Sequence, residues 1–200
     1  MALKATIYKA ELAIADMTRH YYQTHSLTLA QHPSETLERM MLRLVAFTLC
    51  AHERLIFGKG ISEDAEPDLW QHDYGGNIEL WIELGLPEDK LLRRAAHRAH
   101  QGMVLAYGGT VVDKWWKDAQ KTARELPNLT VVAIDAAESQ ALTNLCQRTM
   151  QLQCTIQEGQ LWFADSNHSV VLNPRLLQLL QTPLRAAVQP SADLPGRKQR

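Results

Sequence analysis

Hydrophobic and polar residues alternate strictly over residues 78–84, where Ile, Leu, Ile and Leu fill one set of positions and Glu79, Trp81 and Glu83 fill the other. A period of two is typical of a β-strand, because successive side chains of a strand point to opposite faces. We expect the aliphatic face to meet a core and the other face to meet solvent or a cleft. The pattern therefore predicts two carboxylates on one side of one strand.

A second pattern has the period of a helix. After His32-Pro33 the inward positions recur every three or four residues, which predicts a helix with Ser34 as its N-cap and Glu35 in its first turn. Glu38 lies one turn into this helix. The predicted inward residues are Leu37, Met40, Met41, Leu44, Val45 and Thr48.

Shorter patterns complete the chain. Compact apolar runs are typical of strands buried on both faces, and alternating runs joined by turn residues are typical of hairpins. The predicted strands are 2–15 with a continuation through Leu27 and Leu29, then 55–57, 103–107, 131–134, 151–156 and 161–163, and the further helices are 88–100, 111–124 and 136–148. This order predicts an α/β fold with a mixed central β-sheet flanked by helices and additional N-terminal and C-terminal strands.

No linker or internal repeat divides the sequence, so we expect one domain over residues 1–180. Residues 181–200 contain several prolines and too little apolar pattern to fold, and we expect a flexible tail there.

The composition sets limits on function. The chain has 200 residues, of which 46% are hydrophobic and 22% are charged, as in ordinary globular proteins. Its formal net charge of −1 excludes a protein that coats nucleic acid through overall positive charge. A local basic groove stays compatible with this net charge, because phosphate binding depends on where the cations lie.

Cysteine spacing and the lack of long apolar runs bear on the compartment. Cys50, Cys146 and Cys154 show no CxxC spacing, so the sequence predicts neither a zinc cage nor a disulfide framework, and we expect reduced core thiols. No apolar run reaches the ~20 residues of a membrane span, and the first residues carry charge where a signal peptide is apolar. We therefore expect a cytoplasmic protein with no membrane partner.

Carboxylates occur at and before the alternating strand. Asp68 follows a proline and precedes Glu79 by eleven residues. Carboxylates at adjacent strand ends can share a divalent ion, which polarises a phosphate and supplies hydroxide near neutral pH. The sequence thus predicts a Mg²⁺ site, with Mn²⁺ as a substitute, formed by Asp68 and Glu79 with Glu83 or Glu38 as a third carboxylate.

The order of these features resembles the core of the PD-(D/E)XK nuclease superfamily, in which a helix bearing an acid precedes a hairpin, Pro-Asp, an acid on a central strand, and then a helix and a strand. In this resemblance residues 79–81 take the place of the E-x-K motif, and Trp81 stands where the superfamily has a lysine that positions the attacking water.

Nucleases of this fold are known as a group to let that lysine migrate. We predict Lys59, on the strand before Asp68, as its replacement. Lys90, Arg93 and Arg94 on the next helix are the alternatives, although an arginine carries protons poorly because it stays charged.

Longer stretches resemble the bacterial YaeQ family over roughly residues 1–175. They are 1–10, 27–30 through 39–43, 80–87, 148–150 and 155–157. The resemblance implies a nuclease-like, restriction-endonuclease-like α/β core with a variant active-site motif, and it implies no particular substrate.

Two functions are open on these grounds. The leading hypothesis is a Mg²⁺-dependent phosphodiesterase acting on DNA or RNA, with Asp68, Glu79, Glu83 and Lys59 as its catalytic residues. The alternative is a non-catalytic module that keeps the nuclease scaffold and binds nucleic acid or a protein partner, with a link to transcription. We interpret Trp81 as packing beside the cleft rather than stacking on a base.

A basic face of helix 88–100 is predicted to line a nucleic-acid groove beside the acids, and no metal-binding motif is assigned to its histidines. The residues of this face are Arg93, Arg94, His97, Arg98 and His100.

Overall fold

The computed structural model describes residues 5–59 and 66–180, and its strands form two separate sheets. In chain order the strands are β1 (Thr6–Asp16), β2 (Tyr21–Gln31), β3 (Leu55–Phe57), β4 (Leu69–His72), β5 (Ile78–Leu84), β6 (Ala99–Ala106), β7 (Leu129–Ala133), β8 (Thr149–Gln157), β9 (Gln160–Ala164), β10 (Ser169–Leu172) and β11 (Arg175–Gln178). The helices are α1 (Leu37–Leu49), α2 (Asp89–Arg98), α3 (Thr110–Arg124) and α4 (Ala136–Ala141), and a 3₁₀ turn follows over Leu142–Leu145. Over the described residues this is a mixed α/β fold with two mixed sheets and four helices.

The five-stranded sheet brings the two ends of the described chain together in the order β10-β9-β8-β1-β2. β1 and β2 form an antiparallel hairpin, and β1 pairs on its other side with β8 in parallel. Alternate residues of β1 are buried, among them Leu12 and Ile14, so one face of the hairpin joins the core. The predicted terminal strands are therefore present, but they form a sheet of their own.

The six-stranded sheet has the order β11-β7-β6-β5-β4-β3. Strands β3, β4 and β5 pair antiparallel, whereas β5, β6 and β7 are parallel and are joined through α2 and α3. Every residue of β6 from Gly102 to Ala106 is buried, as expected for a parallel strand covered on both faces. The prediction that these compact apolar runs are strands buried on both faces is confirmed.

Helix α1 lies between the two sheets and contacts β2 on one side and β4 and β5 on the other. Every residue from Met40 to Thr48 is buried, so the helix is covered around its whole circumference and not along one stripe. The start of the helix also differs from the prediction. Thr36, not Ser34, is the N-cap, its hydroxyl accepting from the Arg39 N–H at 3.1 Å, and Glu35 precedes the cap as a buried residue.

Three further predictions about elements were wrong. A single central sheet was expected, but alternation along a strand reports which face is buried and not which sheet the strand joins. The helix predicted over 88–100 ends at Arg98 because Ala99 already begins β6, and the one predicted over 136–148 ends at Leu145. Strands β10 and β11 were not predicted. The tail over 181–200 and the first residues of the strand predicted over 2–15 lie outside the described residues.

Two expectations drawn from composition can be compared with the structure. All three cysteines are unpaired, and burial raises the pKa of Cys50 to about 11 and of Cys154 to about 12, which keeps both as protonated, unreactive thiols. Over the described residues, the helices are too short or too polar to cross a membrane.

Trp81 fills the space between β5 and α2. Its side chain is 1% exposed and packs with Ala95 and Ala99, while Trp70 contacts it edge-on. The interpretation of Trp81 as a packing residue is confirmed. The expectation that its face of the strand meets solvent or a cleft was wrong at this position, because α2 covers it.

We predict that Trp81→Ala lowers the free energy of unfolding by about 3–5 kcal/mol, because it removes a large buried side chain that small neighbours cannot replace. Urea denaturation followed by circular dichroism measures the change. Tyr74→Ala is the control, since Tyr74 is 91% exposed and its loss should change stability by less than about 0.5 kcal/mol. Equal effects of the two substitutions would contradict the packing role.

Candidate functional site

Asp68 is fixed against the end of β5 by main-chain hydrogen bonds. Its N–H donates to the carbonyl of Ile82 at 3.0 Å, and its Oδ2 accepts from the N–H of Leu84 at 2.7 Å. The residue is 3% exposed. Asp68, which follows a proline in the sequence, therefore places a buried carboxylate at the carboxyl end of β5.

Arg39 of α1 neutralises this carboxylate. Its Nη2 donates to Asp68 Oδ2 at 2.9 Å, and its Nη1 lies 2.7 Å from Oδ1, although outside hydrogen-bonding geometry. The same Nη1 donates to Oε1 of Glu35 at 3.2 Å. Burial disfavours the charged guanidinium, but the charge and hydrogen bond of Asp68 together with Tyr107 and Glu35 hold the pKa of Arg39 above its ordinary value.

Arg43 lies one helical turn further along α1 and is also buried. Its Nη1 lies 3.4 Å from Glu35 Oε2 and donates to the carbonyl of Ala30 at 3.2 Å, and its Nη2 donates to the carbonyl of Gly58 at 3.4 Å. Burial lowers the pKa of Arg43. Two arginines thus face two buried acids, Glu35 and Asp68, and together they form a network that we call the α1 ion cluster.

Glu83 lies on β5 directly before Leu84, the residue whose N–H holds Asp68. Trp81 Nε1 donates to its Oε1 at 2.7 Å. The pKa of Glu83 is raised to about 7, chiefly by burial and also by the Asp68 charge, while the Trp81 hydrogen bond and the charges of Arg39 and Arg94 oppose the rise. Like charges at close range and burial are the conditions that shift carboxyl pKa values at functional sites. Asp68 and Glu83 are therefore an interacting acid pair.

Glu79 is not brought to this pair. Strand residues advance by ~3.3 Å each, so Glu79 lies roughly 13 Å along β5 from Glu83. Its carboxylate instead accepts from Gln71 Nε2 at 2.5 Å and pairs with Arg54 at 2.8 Å. The predicted grouping of Asp68 with Glu79 does not form, because Asp68 pairs with the other end of β5.

The two remaining predicted residues have partners of their own. Glu38 Oε1 accepts from Ser139 Oγ at 2.5 Å, which ties α1 to α4. Lys59 is 64% exposed at its side chain, and its Nζ lies 3.3 Å from Glu66 Oε1, two residues before Asp68 in sequence. Within residues 5–59 and 66–180 no three His, Cys, Asp or Glu side chains are grouped as a ready metal site.

The basic face predicted for the helix over 88–100 is divided between two places. Arg94 acts electrostatically on Glu83, and Arg93 pairs with Glu125 at 2.7 Å. His97, Arg98 and His100 line a hollow of about 430 Å³ where β5 and β6 begin, and His100 belongs to β6 and not to the helix. The predicted basic face is therefore not one surface, and of its residues Arg94 is the one that acts on the acids at the end of β5.

Sequence reasoning missed Glu35, Arg39 and Arg43 as members of the site. A signal was present, because these three residues recur every four positions, and Arg39 and Arg43 therefore lie on one face of a helix that is otherwise mostly apolar. Charged residues on the inward face of a buried helix must be paired. Tyr107 was also missed, and its hydroxyl lies within electrostatic reach of Arg39, Glu38 and Asp68 while burial raises its pKa.

We predict that Arg39→Met lowers the free energy of unfolding by about 3–5 kcal/mol at neutral pH, because it leaves buried carboxylates without their cation. Urea denaturation measures the loss. Arg93→Met is the matched control, since it breaks an ion pair of similar length that is exposed, and its cost should stay below about 1 kcal/mol. Equal costs would show that the α1 ion cluster is not a buried network.

Glu83 predicts a pH dependence of stability. Its pKa is raised from 4.5 to about 7 in the folded chain, so the fold favours the protonated acid. The stabilisation that comes from protonated Glu83 is complete below the pKa of Glu83 in the unfolded chain, and it is lost as the pH rises through about 7. Between pH 5 and 8 the wild-type unfolding free energy should fall, relative to Glu83→Gln, by up to about 3 kcal/mol. Urea titrations across this range measure the difference, and parallel curves for the two proteins would contradict the raised pKa.

Comparison with known proteins relates the chain to one family. The family model described as "YaeQ protein" matches residues 1–174. The YaeQ protein of Salmonella typhi is 42% identical over 170 residues, which cover 85% of this chain and 94% of that protein. The YaeQ protein of Escherichia coli K12 is 42% identical over 173 residues, which cover 86% of this chain and 96% of that protein.

Two solved structures are similar over nearly their whole length. The crystal structure of YaeQ from Xanthomonas axonopodis pv. citri has a TM-score of 0.85 and 46% identity, covering 87% of this chain and 98% of that one. The crystal structure of YaeQ from Pseudomonas syringae has a TM-score of 0.83 and 30% identity, covering 89% of this chain and 98% of that one. With its fold, its length and its sequence all matched, the chain belongs to the YaeQ family.

Proposed function

We propose that this chain is a Mg²⁺-dependent phosphodiesterase of the PD-(D/E)XK type that acts on DNA or RNA. The observation that carries the proposal is the placement of Asp68 and Glu83 at the end of β5, where the Leu84 N–H holds Asp68, the Asp68 charge acts on Glu83, and burial above all raises the pKa of Glu83 to about 7. Surface carboxylates have no reason to converge in this way. A buried acid whose pKa is shifted by burial and by a specific charged neighbour is more typical of a functional site than of a purely structural position.

The order of elements supports the same proposal. Helix α1 is followed by the antiparallel strands β3, β4 and β5, then by α2 and the parallel strand β6. This is the order that the resemblance to a restriction-endonuclease-like core implies, with the aspartate before β4 and the second acid on β5. In this proposal Glu83 takes the part that sequence spacing had given to Glu79.

The residues present fit a Mg²⁺ ion that is held jointly with a substrate. Mg²⁺ is commonly bound by one or two carboxylates together with phosphate oxygens and water. Asp68 Oδ1 is buried and accepts no hydrogen bond from the described residues, but Arg39 Nη1 lies 2.7 Å from it, so an ion would bind this oxygen by displacing that guanidinium group. Asp68 and Glu83 would hold the metal, which when bound would polarise the phosphate.

Arg39 would supply the positive charge that the superfamily places on a lysine. Its guanidinium already contacts Asp68, and it acts electrostatically on Glu83. An arginine stabilises anionic charge well but stays protonated, so Arg39 would not carry a proton. Lys59, paired with Glu66 just before Asp68, remains the proposed lysine replacement for that step.

A second candidate is favoured by the same arginine. Arg39 contacts both oxygens of Asp68, which is the place where a cation would bind. A scaffold that replaced its metal by a guanidinium would keep its fold without the metal and would act as a non-catalytic module. Such a module would bind nucleic acid or a protein partner, including one in transcription.

Metal titration with matched variants tests the proposal. Glu83→Gln should abolish Mn²⁺ binding measured by calorimetry and lower the rate of nucleic-acid cleavage by roughly 10²-fold or more, since metal stabilisation is worth several kcal/mol. Asp68→Asn should do the same in protein that circular dichroism shows to be folded. Glu79→Gln is the matched control and should leave both unchanged, because Glu79 pairs with Arg54 elsewhere on β5.

The outcomes separate the two candidates. Wild-type protein that neither binds Mn²⁺ nor cleaves duplex DNA, single-stranded DNA or RNA would overturn the phosphodiesterase and favour the non-catalytic module. Loss of activity in Glu79→Gln to the same degree as in Glu83→Gln would show that the acid pair is wrongly assigned.

A further inference from the structure

Strand β2 is an edge strand of unusual length. The two sheets have four edges in the described part of the chain, and the other three are β3, β10 and β11, of three or four residues each. β2 has eleven residues. Proteins normally shorten an exposed edge or protect it, because a row of unpaired main-chain groups is a template for another strand.

Charges, prolines and bulges that would protect an edge are absent from β2, and α1 reaches this edge at Ala30 through Arg43. The segment 21–31 contains no Lys, Arg, Asp, Glu or Pro. Its pairing with β1 is uninterrupted from Tyr21 to Gln31, so no bulge twists the edge away. An uncharged and regular strand of this length is therefore presented at the side of the five-stranded sheet.

The unpaired main-chain groups can be assigned to particular residues. In an antiparallel pair, alternate residues bond to the partner strand and those between them point away. The carbonyl of Ala30 accepts from Arg43 of α1, so it points away from β1. By alternation the N–H and C=O groups of Thr24, Ser26 and Thr28 point the same way, and no hydrogen bond within residues 5–59 and 66–180 uses them.

The neighbouring structure leaves this edge open. A groove of about 390 Å³ lies between β2 and β3 and is lined by Leu27, Phe47 and Ile56, among others. Ile56 is 51% exposed there. The short strand β3 does not pair with β2, and beside the unpaired main chain the groove offers apolar side chains together with polar ones, including Glu53.

We propose that β2 is a dimerisation edge, which pairs antiparallel with β2 of a second copy across a two-fold axis. The two five-stranded sheets would then join into one continuous sheet. The second copy is the occupant that the edge itself specifies, because an antiparallel strand is its own complement under a two-fold rotation. A strand without charges also meets no like charge when it faces itself.

The outward side chains suit this pairing. With the axis at the middle of segment 22–28, Thr24 lies opposite Ser26 of the partner subunit and Tyr22 lies opposite the partner's Thr28. Cross-strand pairs of hydroxyl residues stabilise antiparallel sheets, and like charges directly opposite each other destabilise them.

Sedimentation velocity of the full chain from micromolar to submillimolar concentration tests the proposal. Wild type should approach twice the mass of the chain as concentration rises. A double substitution, Thr24→Lys with Ser26→Lys, should raise the dissociation constant by about tenfold or more, because each lysine faces a lysine of the partner. Both side chains are exposed, so the monomer should still fold.

The matched control is Gln151→Lys with Gln153→Lys, which adds the same charge to exposed positions of the interior strand β8 and should leave dimerisation unchanged. Hydrogen exchange gives a second readout, since the amides of Thr24, Ser26 and Thr28 should become protected as the dimer forms. Wild type that stays monomeric over the whole range would overturn the proposal. Equal weakening by both lysine pairs, or a dimer without amide protection, would also overturn it.

Discussion

The burial of α1 between two sheets is the constraint on which the rest of this structure depends. A helix covered on all sides should be apolar on all sides, yet α1 carries Arg39 and Arg43 inward. Unpaired, these charges would cost several kcal/mol each. Glu35 and Asp68 compensate them, and Asp68 must therefore arrive at the end of β5 if α1 is to be buried at all.

Because of this requirement, Asp68 belongs both to the packing of α1 and to the candidate site. A single carboxylate, Asp68, contacts α1 through Arg39 and β5 through the Leu84 N–H. Buried ion pairs often add little net stability compared with apolar packing, and they are better understood as fixing one arrangement over others. Here the arrangement that is fixed buries Glu83 within electrostatic reach of Asp68, so that burial and then this like charge raise the pKa of Glu83 while Asp68 stays bound to a guanidinium. Two carboxylates in different environments are the usual preparation for different chemical roles.

Much of the fold could be predicted from local patterns, and the site could be predicted in part. Alternation identified β5, and apolar runs identified β6 and β7, because burial of one or both faces leaves a direct mark on the sequence. The choice between Glu79 and Glu83 could not be made from that pattern, since both lie on one face of the strand. It depends on the register in which Asp68 enters the sheet, set by its N–H bond to Ile82. The division into two sheets is equally non-local, since it depends on β8 pairing with β1 from the far end of the chain.

The packing around Trp81 explains why this residue departs from the E-x-K motif that the resemblance implies. At the position where the resemblance expects lysine, the side chain is buried against Ala95 and Ala99, and an ammonium there would lose its hydration without room for compensating partners. The indole Nε1–H nevertheless donates a hydrogen bond to Glu83, two residues further on. It supplies a hydrogen bond but neither a charge nor a transferable proton. Replacing Trp81 by lysine would therefore not restore the motif in the proposed site, because that site uses Glu83, two repeats of the pleat beyond Glu79, and a cation that comes from α1.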